Sequence, residues 1–81
     1  MFIQIDNHRL NTDLVTHYCA CDTLTDVDGN YSFSIVFYFI SGHAGAVTFV
    51  KDYGHESRKR NEALQNIDIA IRSPGCSFVV I

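Results

Sequence analysis

The chain has 81 residues, with 9 acidic and 6 basic side chains, a formal net charge of −3 and a pI near 5.6. This length predicts a single domain, and the lack of a basic excess argues against a dedicated nucleic-acid-binding protein. The longest apolar run, residues 35–40, is much shorter than the roughly 20 residues that span a bilayer. Because the first residues include no basic segment and no cleavage site, we expect no signal peptide.

The first part of the chain predicts short strands separated by turns. Phe2 to Ile5 alternates like a strand, and Arg9-Leu10 predicts a return strand after an Asp6-Asn7 turn. A bend or a single helical turn is expected at residues 11–14. Val15 to Ala20 alternates again and leads into a polar stretch, in which Asp28-Gly29 is typical of a hairpin.

Tyr31 to Ser41 predicts the central strand. One parity is strongly aromatic, and successive side chains of a strand point to opposite faces, so one face carries Tyr31, Phe33, Ile35, Phe37 and Phe39. The second face begins with serines and becomes apolar at Val36, Tyr38 and Ile40. One face should meet a helix, and the other needs closure of the sheet or a second chain, such as a homodimer partner.

The second part of the chain predicts a turn, a strand, a helix and a final strand. The turn is expected at residues 42–45 and the strand at Ala46 to Lys51. The spacing of apolar residues changes to three and four in Glu56 to Arg72, which predicts a helix whose apolar face carries Ala63, Leu64, Ile67, Ala70 and Ile71. Ser73-Pro74-Gly75 ends this helix. Cys76 to Ile81 predicts a last strand that is tied into the sheet.

This order of elements predicts an α+β fold in one domain, residues 1–81. We expect a curled antiparallel sheet of about five strands, arranged as a meander, with one helix packed on one face. The predicted order is β-β-β-β-α-β.

His17, Cys19 and Cys21 together have the composition of a metal site. Same-face residues of a strand lie about 6.5–7 Å apart, so three ligands along one flat strand cannot all come within about 2.3 Å of a zinc ion. We therefore expect no metal and interpret the cysteines as small apolar residues of the core. Cys76 makes the number of cysteines odd, which is a poor disulfide framework. Without an export signal, reduced thiols and a cytoplasmic location are expected.

Two charged stretches are candidate contact surfaces. The acidic hairpin carries Asp22, Asp26 and Asp28, but Leu24 and Ile35 stand where a calcium loop needs carboxylates. It is interpreted as a solvated hairpin that can face a basic partner. The basic triplet 58–60 opposes the dipole of the helix that it begins. It either contacts an anionic partner or is a solvated helix face.

The cluster Asp52, His55 and Glu56 brings acidic and imidazole groups together at the junction of strand and helix. No second histidine follows with the spacing of a zinc protease, and Ser57 lacks a nucleophile motif. The four tyrosines are amphipathic and are typical of interface anchors.

The opening stretch Phe2 to Val15, with its strand, tight Asp/Asn turn, short return and bend, resembles the start of many small stand-alone bacterial and phage proteins. In size and mild acidity the chain is similar to phage-encoded inhibitors such as anti-CRISPR proteins. This resemblance concerns layout and implies a binding protein that blocks a surface of a host complex in the host cytoplasm. It carries over no functional residues.

We therefore predict a non-enzymatic protein, without cofactor or metal, that binds a larger protein or ribonucleoprotein complex. The candidate contact residues are Asp22, Asp26, Asp28, Tyr38, Tyr53, Arg58, Lys59 and Arg60. One alternative is a nucleic-acid-binding regulator that uses the basic triplet. The less favoured alternative is a small metal-dependent enzyme that uses Asp52, His55 and Glu56.

Overall fold

The computed structural model describes residues 1–25, 28–40 and 47–81, and within these ranges it contains six strands and one α-helix. β1 (Phe2–Ile5) and β2 (His8–Asn11) lead through a 3-10 turn (Thr12–Leu14) into β3 (Val15–Leu24). β4 (Tyr31–Phe39), β5 (Val47–Asp52), helix α1 (Ser57–Arg72) and β6 (Phe78–Val80) follow. The predicted turn at residues 42–45 lies outside the described residues.

The predicted α+β class is confirmed, but the predicted single sheet is wrong. The strands form an antiparallel sheet with the order β3-β4-β5 and a second sheet with the order β2-β1-β6. In the second sheet β1 pairs antiparallel with β2 and parallel with β6. Five strands precede the helix in the described chain, so the predicted order β-β-β-β-α-β lacks one strand.

β6 pairs parallel with β1 because helix α1 carries the chain back to the N-terminal end of β1, where β6 begins. Phe2 N donates to Ser77 O at 3.0 Å, and Ile81 N donates to Gln4 O at 3.0 Å. The prediction that the last apolar residues are tied into a sheet is therefore confirmed.

Two predicted hairpin features are also confirmed. Asp6 has a φ of 54° in the turn between β1 and β2, a conformation that Asp tolerates better than most residues. Gly29, with a φ of 82°, lies in the hairpin between β3 and β4, where Thr25 N donates to Asn30 O at 2.9 Å.

The core lies between the two sheets and the helix. β4 is the central strand as predicted, and its inner face buries Ile35 and Phe37 completely. The mixed sheet and the helix supply the other buried apolar side chains of the cluster, which are Ile3, Ile5, Leu10, Ala63 and Ile67. Fully burying such a side chain stabilises the fold by about 1.5–3 kcal/mol when it is Val, Leu, Ile or Phe.

The buried row of helix α1 differs from the predicted apolar face. Ile71 is 50% exposed, whereas Arg60 is only 5% exposed. The buried positions Arg60, Ala63, Ile67 and Ala70 recur at three and four residues, and this row leaves Ile71 on its flank. The prediction that Arg60 lies on a solvated face was wrong, because a polar residue occupies one position of the inward row.

Arg60 is buried because β3 and β4 supply its partners. Its Nη1 donates to Asp22 Oδ1 at 2.6 Å, to Cys21 O at 3.3 Å and to Ser34 O at 3.4 Å. The guanidinium carbon lies 5.3 Å from the centre of the Phe33 ring. A buried charge needs such compensation.

A second polar contact joins the same two elements, since the Tyr18 hydroxyl donates to Asp68 Oδ1. Arg60 and Asp68 are separated by about 12 Å along a helix, and Asp22 and Tyr18 by about 13 Å along a strand. The two separations are nearly equal, so both contacts can form at once. Because the earlier helix residue, Arg60, contacts the later strand residue, Asp22, the helix runs antiparallel to β3. The two contacts therefore fix the direction and position of the helix on the sheet.

We expect Arg60→Ala to lower the free energy of unfolding by about 2 kcal/mol, because it removes charged hydrogen bonds and leaves Asp22 unpaired. Arg58→Ala is the matched control, since that side chain is 93% exposed, and its effect should stay below about 0.5 kcal/mol. Urea unfolding followed by circular dichroism measures both. Equal losses in the two variants would contradict the structural role of Arg60.

Candidate protein-binding surface

The antiparallel sheet has a second face, directed away from the core, which we call the outer face. The strand register places His17 beside Tyr38, Cys19 beside Val36, and Val36 beside Val50. Helix α1 and the mixed sheet both pack against the opposite, inner face. The outer face includes His17, Cys19, Cys21, Ser34, Val36, Tyr38, Thr48 and Val50, with Thr23, Ser32 and Asp52 at one end.

A β-bulge interrupts the alternation predicted for Val15 to Ala20, in which Val15 and His17 would share one face. The register shifts between these two residues, because a bulge inserts an extra residue into one strand. Val15 consequently packs against the core, whereas His17 lies on the outer face.

His17 and Tyr38 form an aromatic stack on the outer face. Their rings stack with centroids 4.2 Å apart and an interplanar angle of 10°. The Thr16 hydroxyl lies 2.9 Å from His17 Nδ1, which holds the imidazole in place. Val50, on the same face, is 54% exposed. The centre of the outer face thus combines a stacked aromatic pair with exposed aliphatic carbon, and the charge of Asp52 lies at one end of the face. The centres of protein interfaces are similarly depleted of charge.

The environment of Tyr38 raises the pKa of its hydroxyl above the ordinary value. The neighbouring Cys19 thiol, which is negatively charged when ionised, raises the pKa of Tyr38, and partial desolvation adds to the effect. The phenol therefore stays a neutral hydrogen-bond donor at physiological pH.

The cysteines are not core residues, contrary to the prediction. Cys19 is exposed, and Cys21 and Cys76 are half-buried free thiols. Successive residues of β3 point to opposite faces of the sheet, so Cys19 and Cys21 lie on the outer face, while Tyr18, Ala20 and Asp22 lie on the inner face.

The structure separates the three aspartates of the predicted acidic hairpin. Asp22 is the partner of Arg60. Asp28 is exposed, and Asp26 lies outside the described residues. A role of the hairpin as a contact surface stays a prediction for Asp28 and Asp26, while Asp22 has a structural contact.

The basic triplet is separated in the same way. Arg58 Nε lies 3.3 Å from Glu62, and Lys59 Nζ lies 3.3 Å from Glu56, both within the helix. With Arg60 buried, two exposed cations remain at this end of the helix, and each has an acidic neighbour.

Tyr53 lies partly inside the fold, although the sequence predicts an interface anchor there. Its hydroxyl oxygen is buried and has no hydrogen-bond partner in the described parts of the chain. Lys51 Nζ lies 5.3 Å from the centre of its ring and pairs with Asp6 at 3.0 Å. Burial raises the pKa of Tyr53, and the Asp6 carboxylate raises it further.

The acidic and imidazole groups before the helix hold a turn. Asp52 Oδ1 accepts from Gly54 N at 2.7 Å and from the Ser32 hydroxyl at 3.0 Å, and these bonds lower the pKa of Asp52. His55 Nδ1 lies 2.7 Å from Tyr31 O. Within residues 1–25, 28–40 and 47–81, no group of three His, Cys, Asp or Glu side chains is placed to hold a metal ion.

Two adjoining cavities on the helix side form a groove that the sequence did not predict. Their volumes are about 180 and about 310 Å³, and both are lined by Tyr18 and Ile71. Asp68 and Arg72 line one end, and Ile3, Thr12, Val15, Thr16 and His17 line the other. No local pattern joins Tyr18 to Asp68, which lies 50 residues further on.

Tyr18 should titrate later than an ordinary tyrosine. Burial, followed by the bond to Asp68, raises its pKa from 10.0 to about 12. Its stabilising effect is therefore complete below pH 10 and is lost as the pH rises towards 12. We expect the tyrosinate absorbance of Tyr18→Phe to lack a late component that the unmodified protein shows. A component missing from Tyr18→Phe that titrates at the ordinary value of 10.0 would contradict both the burial of the Tyr18 hydroxyl and its bond to Asp68.

No helix in the described ranges is both long and apolar enough to cross a membrane. Comparisons with known proteins found no matching family model, no similar curated protein and no similar solved structure.

Proposed function

We propose that this chain is a small non-enzymatic protein that uses its outer face to occupy a surface of a larger protein or ribonucleoprotein complex. The single observation that carries the proposal is the exposed, weakly charged face built around the His17–Tyr38 stack. Such faces on soluble proteins commonly mark interaction sites.

The dimensions of the outer face support this role. Its strands have ten, nine and six residues, and at about 3.4 Å per residue and about 4.8 Å between strands they cover about 400 Å². This area is roughly half of the 800 Å² that each partner contributes to a standard interface. The outer face is therefore the apolar centre of the proposed interface. Polar residues at its end, including Thr23, Ser32 and Asp52, form part of the rim.

The concrete form of the proposal is a phage or mobile-element inhibitor that acts in the host cytoplasm by steric blockade. The resemblance in layout to anti-CRISPR-type proteins supports this form. A rigid aromatic pair suits the role, because stacked rings lose little conformational entropy when a partner covers them.

Val50→Arg tests the outer face directly. The arginine would place a charge at the centre of the proposed interface, where an unpaired buried charge is costly, so co-purification of a host complex should be lost. Gln65→Arg, on the exposed side of helix α1, is the matched control and should retain the complex. The measurement is affinity capture from host lysate with and without nuclease treatment, read by mass spectrometry, with the fold checked by circular dichroism.

Three results of this experiment would count against the proposal. Equal capture by Val50→Arg and Gln65→Arg would exclude the outer face. Loss of the captured partner on nuclease treatment would favour nucleic-acid binding. Failure of the unmodified protein to retain any host protein would argue against a protein-binding function.

A further inference from the structure

β3 forms an open edge of the antiparallel sheet, and this edge is long. The strand has ten residues, and among the described residues it pairs on one side only, with β4. Cys19, Ala20, Thr23 and Leu24 are all exposed. An edge of this kind offers unpaired backbone groups to another strand.

The hydrogen bonds of β4 identify the residues that face the open side. Ile40 N donates to Leu14 O at 2.8 Å, and Thr25 N donates to Asn30 O at 2.9 Å. Even-numbered residues of β4 therefore bond to β3, and the register pairs them with His17, Cys19, Cys21 and Thr23. The alternate residues direct their backbone N–H and C=O groups away from β4. These residues are Tyr18, Ala20, Asp22 and Leu24.

The usual protection of sheet edges is weak in β3. Lysine and proline commonly blunt an edge, and β3 contains neither. Its one charged residue, Asp22, is neutralised by Arg60, and its bulge lies at the first residues of the strand. The opposite edge strand, β5, has six residues that include Lys51 and Asp52. The asymmetry singles out β3 as the edge suited to pairing.

We propose that two copies of this chain pair through β3 in an antiparallel, two-fold arrangement centred on Ala20. The two antiparallel sheets then join into one continuous sheet with the order β5-β4-β3-β3-β4-β5. This inference is independent of the proposed partner of the outer face, because it concerns the edge and the backbone.

The sequence of β3 is compatible with itself in this register. Tyr18 lies opposite Asp22 of the second copy, and His17 lies opposite Thr23 of the second copy. No like charges oppose each other, and Ala20 lies at the centre, opposite Ala20 of the second copy, as a hydrogen-bonded pair. Centring on Asp22 instead would place two carboxylates face to face, which is unfavourable. Centring on Cys21 would shorten the overlap from residues 16–24 to residues 18–24. Centring on Cys19 would give an overlap of residues 15–23, which places the bulge between Val15 and His17 further inside the paired region.

The same register brings Cys19 of one copy opposite Cys21 of the other. Because the even-numbered residues form the hydrogen-bonded pairs, this pair is non-hydrogen-bonded, with Cα atoms about 4.5 Å apart. Disulfides accept Cα separations of about 4.4–6.8 Å. The two thiols are therefore a built-in reporter of the register.

The oligomeric state in reducing buffer tests the proposal. By light scattering after size-exclusion chromatography, the unmodified protein should have twice its 9.1 kDa chain mass. Ala20→Pro removes a donor on the open edge without breaking a bond to β4 and should give the mass of one chain. Thr48→Pro is the matched control. Thr48 of β5 lies opposite Tyr38 of β4 and directs its N–H to the other edge of the sheet, away from β3. This variant should remain dimeric.

A second measurement fixes the register and does not depend on a proline variant. In Cys76→Ser protein, dissolved oxygen with copper phenanthroline should convert the facing thiols into a covalent dimer on a non-reducing gel. Cys19→Ser or Cys21→Ser, each added to Cys76→Ser, should abolish it. A monomeric mass of the unmodified protein at high micromolar concentration would overturn the dimer. Persistence of the covalent dimer in either double variant would overturn the Ala20-centred register.

Discussion

The inner face of β4 must be covered along its whole length, and this constraint determines how the rest of the chain is placed. Ile35 and Phe37 are fully buried, but a single helix covers only part of a three-stranded sheet. The mixed sheet covers the other part with Ile3 and Ile5, which explains why the chain begins with a short hairpin and why β6 returns to pair with β1. A domain of this size buries only a modest fraction of its surface. Removing either the helix or the mixed sheet would therefore expose the centre of the core.

Apolar burial alone does not fix the direction of helix α1, because hydrophobic contacts are non-directional. The polar contacts Arg60–Asp22 and Tyr18–Asp68 supply that information. Both join the helix to β3, the edge strand, and they hold that strand from its inner side. The hydrogen-bonding edge and the outer face of β3 remain available, so the contacts that orient the helix also present the two surfaces proposed for binding.

Local patterns predict the strands and the helix of this chain well. The aromatic alternation of β4, the Asp28-Gly29 hairpin and the Ser73-Pro74-Gly75 stop all have short-range physical causes. The two-sheet division and the burial of Arg60 depend on residues far apart in sequence, so no window of the sequence contains them. The site was partly predictable for the same reason. Alternation places Tyr38 on the face of β4 opposite to the core. The position of its stacking partner His17 depends on a bulge in β3, which no local sequence pattern predicts.

The outer face and the edge of β3 bear on each other through symmetry. In a two-fold antiparallel pairing the axis is perpendicular to the sheet, so both outer faces lie on the same side. Two areas, each about half of the 800 Å² that one partner contributes to a standard interface, then form one continuous surface. The His17–Tyr38 stack of each copy flanks a central strip of cysteines and alanine backbone. A partner with a matching two-fold axis, or an elongated one, would contact both copies at once, and the second contact would strengthen binding without any new kind of interaction.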